Sequence, residues 1–279
     1  MKKFVCGALS ALLVAATAAS FAGCGKDPNT IYVDTNAFFA PFEYYDGKEI
    51  KGVDVDIMNM VGEKLGKKVV IENTSFGVII DNVASGKKYD CGAAGITITP
   101  EREEKVAFST PYYTSVQYVI FKDNTLTVDG TATDGTEYVL WSGLAGKKIG
   151  VQRDTTGDIY VDGEINAQKD NDYGYDGALY GTNTTETKYD SAQVAVDALG
   201  TYVDVVVVDK LPAQYIVSKN AGLSCYALYY DAETATEEQY AICVTKGNSE
   251  LLDAINAVLA ELGENGINAL VQKHLFGEE

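Results

Sequence analysis

Residues 203–208 read Val-Asp-Val-Val-Val-Val, a β-branched run whose last four residues are apolar at odd and even positions alike. A strand with one face in water alternates apolar and polar residues. This one must therefore be covered on both faces, as a central strand of a parallel sheet is. Parallel neighbours cannot be joined by a hairpin and need a long crossover, usually a helix. The chain supplies both parts. Strand-like runs recur at 31–33, 69–71, 118–121, 148–151 and 240–244. Between them Ile57, Val61 and Leu65 are spaced by four, and Leu251, Leu252, Ile255, Val258, Leu259 and Leu262 trace one helical stripe. The alternation predicts an α/β protein of βαβ units with mainly parallel sheets. At 279 residues and 46% apolar, one large or two ordinary domains can form. Two segments break the rhythm. Residues 122–147, rich in Thr, Asp and Gly, mark a change of unit. Residues 158–188 show no periodic run and read as a surface excursion. Within the excursion, "DNDYGYDG" offers no register with oxygen ligands at the spacing of a calcium loop.

The first residues belong to neither domain. Lys2 and Lys3 precede a short apolar stretch at 4–19, then Phe21-Ala22-Gly23-Cys24. That run is shorter than the ~20 apolar residues of a membrane span and reads as an export leader over residues 1–23. The Ala-Gly-Cys ending resembles a lipobox, which makes Cys24 the lipidated first residue of a tether at 24–27; ordinary cleavage near Ala19 or Ala22 is the alternative. The formal charge is −18, and more negative without the leader's lysines. Such a surface repels nucleic acid and anionic headgroups, so contact with a membrane is expected through lipid alone. Cys91, Cys225 and Cys243 are an odd set in apolar runs, with a Cys225–Cys243 bridge left open. One histidine, His274, and no C-x-x-C pair argue against zinc and against Ser-His or Cys-His catalysis. No metal and no cofactor are expected.

Arg102 is one of two arginines in the chain and sits in a Gly/Thr/Pro turn. A guanidinium offers a planar fork that fits a carboxylate two bonds at a time. By itself it could equally pair with Glu101, Glu103 or Glu104 at the surface. Its context decides. "APFEYYDGKEIKGVDVDI" (40–57), "GITITPEREEKVAFSTPYYTS" (95–115), "GKKIGVQRDTTGDIY" (146–160) and "VDVVVVDKLPAQYIV" (203–217) occur in that order. Together they resemble the family 3 extracellular solute-binding proteins, the amino-acid receptors of ABC importers. The resemblance covers nearly the whole chain after the leader. It implies two Rossmann-like α/β lobes joined by a two-stranded hinge, the type II periplasmic-binding-protein fold. Lobe 1 would span 28–114 plus 244–279, and lobe 2 would span 115–243.

The same resemblance implies roles. Arg102 would fork onto a ligand's α-carboxylate, Thr97 would offer its hydroxyl and N–H, and Gly95 would bond through its main chain. Across the cleft Thr155 and Thr156 would aim N–H groups from a helix start. Asp209 would accept the α-ammonium, although its place before a helix also suits an N-cap. Asn36, Phe39, Phe76, Ala94 and Gln152 would line the side-chain pocket. Asn36 stands where some relatives that bind basic amino acids carry an acid. Asp154 replaces a glycine, and its carboxylate would either cap the following helix and repel the ligand or point away. The implied partners are a small amino acid and a membrane permease, with the protein a lipid-anchored monomer outside the cell or in the periplasm. Two alternatives follow from other considerations. A cleft enzyme on the same fold would need an acid such as Glu43. A sensor or surface interaction protein would use the 158–188 segment.

Overall fold

The computed structural model describes residues 26–166 and 175–276. The leader, Cys24 and residues 170–174 of the acidic tract lie outside them. The chain opens with β1 (Thr30–Thr35), followed by a small antiparallel meander of β2 (Phe38–Phe39), β3 (Glu43–Asp46) and β4 (Glu49–Lys51). Helix α1 (Val53–Leu65) buries Val53, Ile57, Met58 and Val61 and stops at Gly66, whose left-handed φ of 63° ends helices at little steric cost. β5 (Lys68–Asn73) pairs in parallel with β1, completing a right-sized βαβ unit. Helix α2 (Ile79–Ser85), β6 (Cys91–Gly92), the one-turn α3 (Pro100–Glu103) and β7 (Ala107–Phe108) follow.

β8 (Tyr113–Lys122) then leaves for a second sheet. That sheet adds β9 (Gly130–Thr131), β10 (Glu137–Leu140), β11 (Lys148–Gln152), helix α4 (Thr156–Asn166), β12 (Thr185–Tyr189), helix α5 (Ala192–Asp197), β13 (Val205–Asp209), helix α6 (Lys210–Lys219) and β14 (Leu223–Tyr229). Its strand order is β12-β11-β13-β8-β14-β10-β9. β15 (Glu237–Tyr240) runs back antiparallel to the first residues of β8, with Glu237 opposite Val116 and Tyr240 opposite Tyr113. β16 (Cys243–Val244) re-enters the first sheet, whose order is β5-β1-β6-β16-β7, and α7 (Ser249–Phe276) packs on α1. Two extended segments, 113–116 and 237–240, thus pair side by side between the units. His274 fastens α7 to the first unit through Asp56 at 2.9 Å and Tyr44 at 3.1 Å.

The valine run behaves as its pattern requires. Every residue of β13 is buried, with Val205 and Val207 in one core cluster and Val206 and Val208 in another on the opposite face. Each valine so buried stabilises the fold by about 1.5–3 kcal/mol.

Three features differ from the sequence expectations, and one question left open there is decided. The second sheet is mixed, because β8 enters from the other unit and lies antiparallel to both β13 and β14. The apolar run at 240–244 is divided between β15 and β16 in different sheets. The expected excursion at 158–188 is shorter, since α4 takes its start and β12 its end. Helix α4 carries no apolar stripe because its buried face is mostly polar. There Asp158 accepts the Asp154 N–H at 2.7 Å and Glu164 accepts the Ala178 N–H at 2.7 Å. Finally, Cys225 lies on β14 in the second sheet and Cys243 on β16 in the first, so no bridge joins them and all three described cysteines are free. Burial pushes the Cys243 thiol up to about 12 and the Cys225 thiol to about 11, which leaves both inert.

Candidate functional site

In open α/β sheets, ligand sites form beyond the carboxyl ends of the strands. Here β1 ends just before Asn36, β6 leads into Gly95 and Thr97, β11 ends on Gln152, and β13 ends on Asp209. These four ends face one another across the gap between the units. They enclose a cavity lined by Asn36, Phe39, Phe76, Gly95, Thr97, Gln152, Thr155, Thr156 and Asp209. Its volume, about 10 Å³, is room for roughly one water molecule.

The turn carrying Arg102 is built locally. Thr99 caps α3 by accepting the Arg102 N–H at 3.3 Å, and Pro100 opens the helix where no N–H is needed. Arg102 points inward and is 8% exposed. Nη1 donates to the Thr97 carbonyl at 2.8 Å in its own unit, and Nη2 donates to the Asp154 carbonyl at 3.1 Å in the other. The guanidinium lies 5.3 Å over the Phe76 ring. Burial lowers its pKa, and the nearby Glu238 and Asp209 charges push back. Arginine starts so high that it stays charged.

Two more contacts cross the gap. Thr156 donates to the Thr97 hydroxyl at 2.8 Å, and Gln152 Nε2 donates to Asn36 Oδ1 at 3.0 Å. Asn36 in turn donates to the Thr74 carbonyl, and Gln152 Oε1 accepts the Ala192 N–H. Thr155 spends its hydroxyl on the Gln152 carbonyl. Gly95 has φ 54°, and a Cβ there would stand 2.6 Å from the Phe39 ring, so glycine is required where loop and wall meet. Its N–H donates to Asp54 at 2.9 Å. Ala94 turns away from the cavity into a core cluster with Ile79, Val83 and Ile96.

Asp209 stands at the N-cap of α6 yet makes no capping bond. It accepts Gln117 Nε2 at 2.8 Å and the Tyr240 hydroxyl. Asp154 adopts φ 65°, the left-handed conformation that explains why a glycine suits this position. Its carboxylate neither caps α4 nor reaches the cavity lining. It lies against Gly77 of the other unit, where an added Cβ would meet Oδ2 at 2.1 Å.

Sequence reasoning missed Gln117, Glu238 and Tyr240. Gln117 Nε2 also donates to Glu238 Oε1 at 2.6 Å, and Glu238 Oε2 accepts the Thr97 hydroxyl at 2.6 Å. The one available signal is alternation: along β15 Glu238 and Tyr240 face inward while Glu237 and Gln239 face water. Glu43 and Asp54 form a further buried acidic pair beneath the Gly95 loop. Burial and the Asp54 charge raise Glu43 well above the carboxylate range, and burial lifts Asp54 to about 6. Among the described residues, no group of three His, Cys, Asp or Glu side chains could hold a metal.

Residues 31–278 match the family described as bacterial extracellular solute-binding proteins, family 3. The arginine-binding extracellular protein ArtP of Bacillus subtilis is 25% identical over all of both chains. The L-cystine-binding protein TcyJ of Escherichia coli is 27% identical over 96% of this chain and 92% of its own. Among solved structures, an ancestral arginine-binding protein bound to glutamine superposes with a TM-score of 0.70 at 32% identity, covering 91% of this chain and 100% of that one. This chain belongs to the bacterial extracellular solute-binding proteins of family 3.

Proposed function

We propose that the protein captures a free amino acid between its two units and presents it to the membrane permease of an ABC importer. One observation carries this: an anion of the second unit, Asp209, lines the cavity, and a cation of the first, Arg102, lies directly behind its wall, bonded to the Thr97 carbonyl and stacked over the Phe76 ring. Arg102 and the N–H groups at the start of α4 would take the α-carboxylate, and Asp209 the α-ammonium. Thr97 and Gly95 would complete the backbone contacts. Asn36, Gln152, Phe39 and Phe76 are left for the side chain. Two amides and two rings suit a neutral polar side chain better than a charged one. The paired segments 113–116 and 237–240 would serve as hinge, with closure by rotation of one unit against the other.

Binding rather than turnover is favoured by the position of Glu43, the acid that a cleft enzyme on this fold would need. Glu43 is fully buried and does not line the cavity. The lipid anchor at Cys24, the monomeric state and the extracellular site of action complete the proposal. No described helix is long and apolar enough to cross a membrane. A thermal-shift screen of the standard amino acids tests it. Saturation at about a hundredfold above Kd stabilises the folded state by about 2.7 kcal/mol, a readily measured rise in Tm. No rise with any amino acid at millimolar concentration overturns the proposal.

A further inference from the structure

A ligand ammonium needs one carboxylate, and the structure supplies two. Glu238 and Asp209 are 4% and 5% exposed, and both hydrogens of the Gln117 amide are given to them. Their oxygens are therefore no farther apart than two hydrogen bonds end to end. The second Glu238 oxygen accepts Thr97, which lines the cavity and meets Thr156 across it. Among the described residues, Arg102 is the cation whose charge reaches this pair, and the other titratable groups facing it are the Tyr240, Tyr160 and Tyr230 phenols and the Glu43 carboxyl. None of these adds positive charge. Two dry carboxylates at this distance cannot both ionise without a further cation. Burial first, then the Asp209 charge, holds Glu238 well above the usual carboxylate range, and burial also raises Asp209.

A buried acid pair without a duty gains nothing over an amide of the same shape, and one partner could be replaced with little loss. A pair placed beside an ammonium site has a use for its second charge. We propose that Glu238 is a positioning carboxylate that makes the ammonium pole doubly anionic, and that ligand capture expels the proton this pair shares. The proton leaves for solvent as the ligand's ammonium takes over the neutralising role. This inference rests on the amino-acid proposal.

The test uses the purified protein, the twenty standard amino acids and L-cystine. Each compound that raises the Tm is titrated calorimetrically between about pH 5 and pH 8, in buffers of low and high protonation enthalpy. The expected result is release of about one proton per ligand at the acidic end, with affinity rising about tenfold per pH unit until the pair is ionised. Glu238→Gln keeps a bonding partner for Thr97. It should abolish the proton release, flatten the pH profile and weaken binding near neutrality at least about tenfold, while leaving the Tm unchanged or higher. Wild-type binding without proton release overturns the inference and needs no variant. So does a Glu238→Gln protein whose proton release and pH profile match the wild type. In both cases amino-acid binding itself stands. Absence of binding by every compound removes the amino-acid proposal and this inference with it.

Discussion

Replacing Arg102 by methionine keeps the length and bulk of the side chain and removes its charge and its fork. The guanidinium spans the gap, with one bond inside its own unit at 2.8 Å and one to the other unit at 3.1 Å. Its 8% exposure puts it among buried rather than rim charges. Truncating one member of a buried, hydrogen-bonded charge pair costs about 2–5 kcal/mol. At about 1.4 kcal/mol per tenfold, affinity for the amino acid should fall between roughly thirtyfold and a few thousandfold. Lysine is a more searching substitution. It keeps a positive charge but cannot serve two acceptors in a fixed plane, so Arg102→Lys should fall between wild type and methionine. Folding should suffer less than binding, because a desolvated cation is removed along with its bonds. Calorimetric titration of both variants with the amino acid giving the largest Tm shift supplies the measurement. A methionine variant that binds within about threefold of wild type would refute the reasoning, since no buried charge-assisted contact is worth so little.

Two further outcomes follow from local geometry. Asp154→Gly relieves a left-handed residue and keeps the carbonyl that Arg102 uses and the N–H that Asp158 accepts. Stability should change by no more than about 1 kcal/mol by denaturant titration, and amino-acid affinity should hold or rise as a negative charge leaves the carboxylate end. The Glu43–Asp54 pair sets a pH dependence. Because the folded pKa of Asp54 is raised to about 6, the folded state keeps a proton that the unfolded chain sheds near pH 4. The stabilisation is therefore complete below about pH 4 and is lost as pH rises through about 6, a change of roughly 3 kcal/mol. Glu43→Gln removes a second carboxyl that burial also keeps protonated in the folded state, so it should shallow the overall decline in denaturant curves taken from pH 4 to pH 8 while leaving the part due to Asp54; an unaltered profile would sink the assignment.

What could be read from the chain depended on whether a residue's role is local. The β13 strand, the α7 stripe and the Arg102 turn each declare themselves within one short stretch of sequence through two-face burial, period 3.6 and the Thr99-Pro100 helix start. Gln117, Asp209 and Glu238 come from three distant segments and meet only because β8 pairs with β13 on one side and with β15 along its first residues. No spacing in sequence encodes that meeting. Helix α4 was hidden for a different reason: a face buried through Asp158 and Glu164 has no apolar period to detect. Ala94 illustrates the opposite error. It neighbours Gly95 in sequence, yet the turn that presents Gly95 to Phe39 sends Ala94 into the core.

The contacts that cross the gap also bear on how affinity arises. Thr156 to Thr97, Gln152 to Asn36 and Arg102 to the Asp154 carbonyl join polar groups that a ligand would also seek. A ligand entering between the units must exchange for those bonds, not add to them. A neutral hydrogen bond contributes only about 0.5–1.5 kcal/mol net, so exchanging one for another gains little, whereas bonds to charged groups contribute about 1.5–3 kcal/mol. Recognition must then come mainly from the charged ends, Arg102 on one side and the Asp209 region on the other, with the hydroxyls and amides fixing orientation. It follows that an analogue lacking the α-ammonium or the α-carboxylate should lose far more affinity than one with an altered side chain. A protein that bound a des-amino analogue as tightly as the parent amino acid would place its selectivity in the amide and aromatic end of the cavity.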